Sequence, residues 1–256
     1  MAINHTAENI TLAGTSAYTP VGVNWKVIRT KINYIRPRII NQPIINTGLL
    51  GINGGFFSSG DYNARPSYGV SINWNQYGTD NYLYNGISTD KISRGTLFIY
   101  EINGIQYSQI ISAAQASDVL NYAQNATVMA IIGGGDLALG MTEHNWYWNV
   151  YKGEQWDNLK FGIIDTALVP TSRTGIGIKT EGGENIAYLA VSTSNAVLAD
   201  LRQLFDYLGC HSAIFLDGSG SSQYRYKDSN NNIVAYGGTD SPSRYIWNMI
   251  QITNVN

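Results

Sequence analysis

The residues whose types and spacing can do chemistry gather in Leu216-Asp217-Gly218-Ser219-Gly220-Ser221-Ser222. A short apolar run, Ser212-Ala213-Ile214-Phe215-Leu216, reads as a buried strand and breaks at once into a carboxylate and a loop of glycines and serines. Gly218 and Gly220 permit backbone conformations and a ligand approach that a Cβ would block. Ser219, Ser221 and Ser222 add hydroxyls, and the loop amides can form an anion-binding nest. A lone carboxylate at the mouth of a strand, beside such a loop, is how α/β-type sheets present a site. Read structurally, the same residues are a tight turn capped by Asp217.

Four other strand ends carry polar or cationic groups. Leu49-Leu50-Gly51-Ile52 opens into Asn53-Gly54-Gly55-Phe56-Phe57, where the Asn53 amide can both donate and accept. The bland alternative is an Asn-Gly turn followed by core phenylalanines. Thr127 to Ile132 ends in Gly133-Gly134-Gly135-Asp136. Gly133, Gly135 and Ala138 match a dinucleotide fingerprint only loosely, since no amphipathic helix and no paired acidic residue follow. Arg173-Thr174-Gly175-Ile176-Gly177 and Arg244-Tyr245-Ile246 place an arginine at the entry of a strand. Arginine suits bidentate recognition of phosphate or carboxylate, and its ordinary use is a surface ion pair.

The elements that must position these groups follow from periodicity. Val197, Leu198, Leu201, Leu204, Phe205 and Leu208 form one apolar helical stripe. Ser194 or Asn195 is the expected N-cap and Gly209 the left-handed C-cap. With a buried strand over 185–192, residues 185–217 read as strand, helix, strand, paired in parallel through a right-handed crossover. A long strand runs from Trp25 and is expected to stop near Pro37. Further strands are expected over 68–73, 95–101 and 105–111, with Asn103-Gly104 as a two-residue hairpin turn. Ser117 can cap a short helix through Ala123, and 224–226 pairs with 233–236 as a hairpin. Three loops interrupt this pattern: 58–66, with Asp61 and Arg65, then 74–94 and 141–172, rich in Tyr and Trp that can stack on sugar rings or pack the loops down. The fold expected is α+β, a mixed β-sheet with few helices, its site built from strand-end loops. Residues 1–24 read as an N-terminal arm or edge segment and 25–256 as one domain.

Composition narrows the function. The chain has 256 residues, 44% hydrophobic, enough for a sizeable core. Only 13% are charged, about half the usual share, so Asn, Gln, Ser, Thr and 18 Tyr must cover the surface, which suits sugars. A net charge of −2 gives no electrostatic footprint for nucleic acid. The one cysteine, Cys210, excludes an intrachain disulfide and a cysteine zinc site, and it reads as a small core residue. His5, His144 and His211 form no zincin pattern, and no Gly-x-Ser-x-Gly elbow accompanies the serines, so neither a metal nor another cofactor is called for. No apolar run is long enough to span a membrane. Met1 to Pro20 shows no signal-peptide pattern, although the composition fits an extracellular or cell-surface setting, including release with a phage. The oligomeric state is open.

Taken together, the order and spacing of these segments resemble the phosphodiester glycosidase family, over roughly residues 25–252. That family shows an Asn-Gly-Gly-Phe-Phe-like segment, an Arg-Thr-Ala-Ile-Gly-like segment, a helix, a Leu-Asp-Gly-Gly-Gly-Ser-Ser-like loop and a terminal arginine strand. Here Ser219 stands where the family usually has glycine, and Gly175 where it often has alanine. The resemblance implies hydrolysis of the sugar C1–O bond of a glycosyl-1-phosphodiester, with N-acetylglucosamine as the expected sugar. The leaving group is then a phosphomonoester of second pKa about 6, which departs with little protonation if its charge is held. On this reading Asp217 is the nucleophile or general base, Arg173 and Arg244 hold phosphate, and Asn53 meets the sugar. Gly54, Phe56, Gly134, Asp136, Thr174 and the loop Gly218, Ser219, Gly220, Ser221 and Ser222 line the substrate. Two other readings stay open: a non-catalytic glycan-binding module of a phage tail or lysin, and a phosphodiesterase that breaks P–O.

Overall fold

The computed structural model describes residues 5–16, 19, 21–57, 71–73, 84–87, 90–123, 125–157, 167–238 and 244–253. In chain order the strands are β1 (His5–Leu12), β2 (Val23–Lys31), β3 (Ile35–Gln42), β4 (Leu50–Asn53), β5 (Ser71–Asn73), β6 (Gly86–Ile87), β7 (Asp90–Lys91), β8 (Arg94–Ile102) and β9 (Ile105–Ala113). They continue as β10 (Thr127–Gly133), β11 (Gly135–Asp136), β12 (Thr174–Glu181), β13 (Glu184–Ser192), β14 (Ser212–Phe215), β15 (Tyr224–Lys227), β16 (Ile233–Tyr236) and β17 (Ile246–Ile252). The helices are α1 (Ala116–Tyr122), α2 (Glu143–Trp146), which runs into a π turn over Tyr147–Tyr151, and α3 (Leu198–Tyr207). None of the described helices is long and apolar enough to cross a membrane.

The architecture is α+β with few helices. One sheet runs β1-β2-β13-β12-β14-β11, a second β16-β15-β4-β17-β3, and a third β5-β10-β8-β9. The period-2 alternation of the strands divides the core between their faces. Ala187, Leu189 and Val191 of β13 and Ile214 of β14 face an interior shared with Ile52, Leu97, Ile132 and Ile250 of the other two sheets. Their alternates, Ile186, Tyr188, Ala190, Ala213 and Phe215, face Leu198, Leu201, Leu204 and Phe205 of α3. Each such buried Val, Leu, Ile or Phe side chain contributes about 1.5–3 kcal/mol.

Three expectations are corrected. The strands flanking α3 do run parallel, but β12 is inserted between them and is antiparallel to both, so every pairing among the described residues is antiparallel rather than mixed. The connection through α3 skips one strand. The chain from Trp25 does not end at Pro37. A 3-10 turn at Ile32–Tyr34 bends it into β3, where Pro37 faces Ile250 from an edge strand, a position that tolerates the missing N–H. Finally, α3 begins after Ser194 and Asn195, because Ala196 is held extended by backbone bonds with Thr171. The Asp200 carboxylate then accepts the Val197 N–H at 2.8 Å and does the capping. Gly209 (φ +73°) closes α3 in the left-handed conformation, and Asn103 and Gly104 take positive φ in the β8–β9 hairpin, both as expected.

Candidate active site

The site forms where β4, β12, β14 and β17 end or begin together. Asn53, the last residue of β4, is 1% exposed and cross-links the segments. Its Nδ2 donates to the Asp217 carbonyl at 2.7 Å. Its Oδ1 accepts from Thr174 Oγ1 at 2.9 Å and from the Gln223 N–H at 3.1 Å. Thr174 Oγ1 also shares a 3.0 Å hydrogen bond with Ser222 Oγ. The Asp217 N–H donates to the Gly54 carbonyl. Asn53, Gly54, Thr174, Ser222 and the backbone of Asp217 and Gln223 are thus tied into one hydrogen-bonded network.

The loop after β14 is a 3-10 turn over Ser219–Ser221. Its amides are largely committed: Gly218 N–H to Asp217 Oδ1 at 3.0 Å, Ser219 N–H to the Ser172 carbonyl, and Ser221 and Ser222 N–H within the turn. Of the five amides 218–222, only that of Gly220 is not committed in this way among the described residues. The anion nest expected from the glycines is therefore used to shape the loop. Ser219 adopts φ +54°, a left-handed conformation that explains why glycine suits this position.

Asp217 carries the distinctive electrostatics. It is half-buried, and burial pushes its carboxyl up to about 6, against the Ser221 hydroxyl, the Arg244 guanidinium and the Gly218 N–H, which favour the charged form. Ser221 Oγ is buried and finds no hydrogen-bond partner of ordinary geometry among the described residues, yet it lies near enough to Asp217 to act on it. Arg244 packs over Gly220, so closely that a Cβ there would sit 3.0 Å from its Nη1. Its carbonyl is fixed by the Gln223 side-chain amide at 2.8 Å. A guanidinium packed over the loop that carries the carboxylate can serve an anionic ligand there.

The other sequence-predicted residues make the following contacts. Arg173 is buried, with Nε donating to the Ala196 carbonyl at 3.0 Å and Nη2 to the Val169 carbonyl at 2.5 Å, and burial lowers its pKa to about 10. Its guanidinium lies toward the start of α3. Gly54 must be glycine because a Cβ would meet Asn248 Oδ1 at 1.8 Å, and Gly134 because a Cβ would meet the Phe215 carbonyl at 2.4 Å as the chain crosses between sheets. Phe56 packs tilted against Trp156 at 4.5 Å, with Phe215 edge-on. Asp136 shapes its own turn, accepting the Ala138 N–H at 2.7 Å, and burial raises its pKa. Asp61 and Arg65, and most of loop 74–94, lie outside the described residues.

Sequence reading missed Gln223, Asn248 and Glu154. Gln223 is fully buried and ties Ile44, Asn53 and Arg244 together, and its one signal is an amide between the serine loop and a strand. The Asn248 carbonyl accepts the Gly54 N–H. Glu154 accepts from Gly95 N–H at 2.6 Å, Asp136 N–H and the Trp156 indole at 2.5 Å, and burial pushes it up to about 8. Cys210 is buried, its thiol pushed up to about 12, an inert core residue. Among the described residues no three or more His, Cys, Asp or Glu gather to hold a metal.

The sequence model of the phosphodiester glycosidase family matches residues 46–253. No curated protein matches the chain. Among solved structures, the catalytic domain of zebrafish N-acetylglucosamine-1-phosphodiester alpha-N-acetylglucosaminidase, auto-inhibited by its pro-peptide, is similar at a TM-score of 0.65 and 15% identity, over 99% of this chain and 85% of that one. A hypothetical protein from Synechocystis is similar at 0.56 and 13%, over 97% of this chain and 62% of that one. At these identities the likeness is one of fold.

Proposed function

The chain belongs to the phosphodiester glycosidase family, and on that premise we propose that it hydrolyses the sugar C1–O bond of a glycosyl-1-phosphodiester at Asp217. N-acetylglucosamine is the sugar proposed, by analogy with the substrate in the zebrafish enzyme's name. The observation that carries the reading is the pairing of a half-buried Asp217 carboxyl, held near 6, with the Arg244 guanidinium packed on the same loop.

Asp217 either takes a proton from water as it attacks C1, or attacks C1 itself and is released by water. In both cases the C1–O bond breaks and the phosphomonoester leaves with its electron pair, balanced by Arg244. An inverted anomer in the product marks the first route and a retained one the second. Ser221 Oγ, buried beside Asp217, is available to the bound phosphate or sugar. The hydrogen-bonding capacity of the Asn53 amide is taken up by the Asp217 and Gly54 carbonyls, Thr174 and Gln223, so its role here is to position the loop. Arg173, committed to the Ala196 and Val169 carbonyls, shapes the entry of β12. An extracellular or cell-surface setting is part of the proposal, supported by the neutral polar composition.

The test is incubation with UDP-GlcNAc and with a GlcNAc-1-phosphodiester in heavy-oxygen water, the products being read by mass spectrometry. Heavy oxygen in the free sugar is expected, with at least a thousandfold loss in Asp217→Asn. Heavy oxygen in the phosphate would replace the reading by a phosphodiesterase, and undiminished turnover by Asp217→Asn would remove Asp217 from the chemistry.

A further inference from the structure

We propose that the cleft between the α2–π turn and the start of α3 is a second sugar subsite, which holds a ring of the glycan carried beyond the phosphate. The cleft encloses about 430 Å³, a size common to small-ligand sites. Trp148 and Tyr147 form one wall, Glu143 and His144 a rim, and Leu168 and Ala199 face them.

The wall is built by an irregularity in the helix. The Lys152 N–H donates to the Tyr147 carbonyl five residues back, the bond of a π turn. That extra residue lets Trp146 and Tyr151, five apart, both point into the core, 2% and 1% exposed. Trp148 is left outside, 56% exposed, its ring perpendicular to Tyr147 at 5.5 Å. The two rings make a corner. A sugar ring has an apolar C–H face and a rim of hydroxyls. It can lay that face on the indole and turn its hydroxyls to the exposed Glu143 carboxylate and His144 ring. An exposed aromatic corner beside hydrogen-bonding side chains fits that chemistry better than an all-apolar protein contact.

The cleft is linked to the candidate active site through packed aromatic rings. Tyr147 stacks on Tyr151 at 5.5 Å and 13°, and Tyr151 leans on Phe215, two residues before Asp217. Leu168 on the cleft wall precedes Val169, whose carbonyl holds Arg173. The first turn of α3 lies at the sheet end where β14 delivers Asp217, since β13 ends at that edge. Only the assignment of the sugar to the far side of the phosphate rests on the catalytic reading; sugar binding by the cleft does not.

The experiment uses Asp217→Asn protein, which leaves ligands intact, titrated with chitotriose, mannotriose and maltotriose by saturation-transfer NMR and tryptophan fluorescence. Saturable binding of at least one is expected, weakened about tenfold by adding Trp148→Ala and several-fold by adding Glu143→Gln. Both side chains are exposed, and thermal melts check that the variants fold. In the active protein, Trp148→Ala should raise KM about tenfold more for a trisaccharide-bearing phosphodiester than for a methyl one. Binding that persists with Trp148 dependence when no substrate is turned over would sink the catalytic reading and leave the subsite standing. Absence of binding by all three sugars, binding indifferent to both variants, or a concentration-dependent dimer abolished by Trp148→Ala would each overturn the subsite.

Discussion

Asp217 is subject to opposing pulls, and both are measurable. Burial raises its pKa from the ordinary carboxylate value to about 6, while Ser221, Arg244 and the Gly218 amide limit the rise. A carboxyl whose folded pKa lies above its unfolded one contributes stability below the unfolded value, near 4, and loses it as pH climbs through about 6. Asp217→Asn should therefore be more stable than the parent at pH 7, by about 1 kcal/mol once partial solvent screening is allowed for, and the gain should vanish near pH 4. Paired thermal melts at the two pH values check this. Whether base or nucleophile, Asp217 must be unprotonated, so kcat/KM should rise with pH through about 6 and then level. Arg244 favours the charged form, so Arg244→Ala should move that limb to higher pH as well as lowering the plateau, an outcome read from a pH–rate profile of the variant.

Among the elements, α3 packs on β12 at a close approach that only glycine permits. Gly177 lies under the Phe205 ring, and a Cβ there would sit 2.3 Å from Cδ1 and 2.7 Å from Cys210 Sγ. The helix cannot lie this close to the sheet over any larger residue. Gly177→Ala should cost about 1–3 kcal/mol by overpacking. It would appear as a lower denaturant midpoint at unchanged slope. The same approach carries function, since α3 follows Ala196, whose carbonyl fixes Arg173, and leads through Gly209 and Cys210 to β14, which ends two residues before Asp217.

For the molecule as a whole, the joint between sheets matters most. The chain leaves β10 of one sheet and enters β11 of another through Gly134, and Glu154 clamps the crossing by accepting N–H groups from β8 and β11 as well as from Trp156. Glu154→Leu would leave those buried donors unpaired and should cost about 3 kcal/mol, seen as a large fall in melting temperature. Because Trp156 packs against Phe56 next to the Asn53-Gly54 turn, the variant should also loosen the site, with activity lost at temperatures where the fold survives.

The sequence by itself determined what local chemistry controls. The hairpin at Asn103-Gly104, the left-handed cap at Gly209, the apolar stripe of α3 and the strand ends bearing Asp217, Thr174 and Asn53 all follow from residue type and period. Only the tertiary structure decided how side chains separated by long stretches of chain are used. Asn53 and Asp217 are 164 residues apart, and nothing in either segment says that the Asn53 amide will hold the Asp217 carbonyl rather than a ligand. The insertion of β12 between β13 and β14, the survival of a strand across Pro37 and the commitment of Arg173 to carbonyls likewise depend on which neighbours the fold supplies. Hydrogen-bonding capacity is written in the residue, but its partner is chosen by packing.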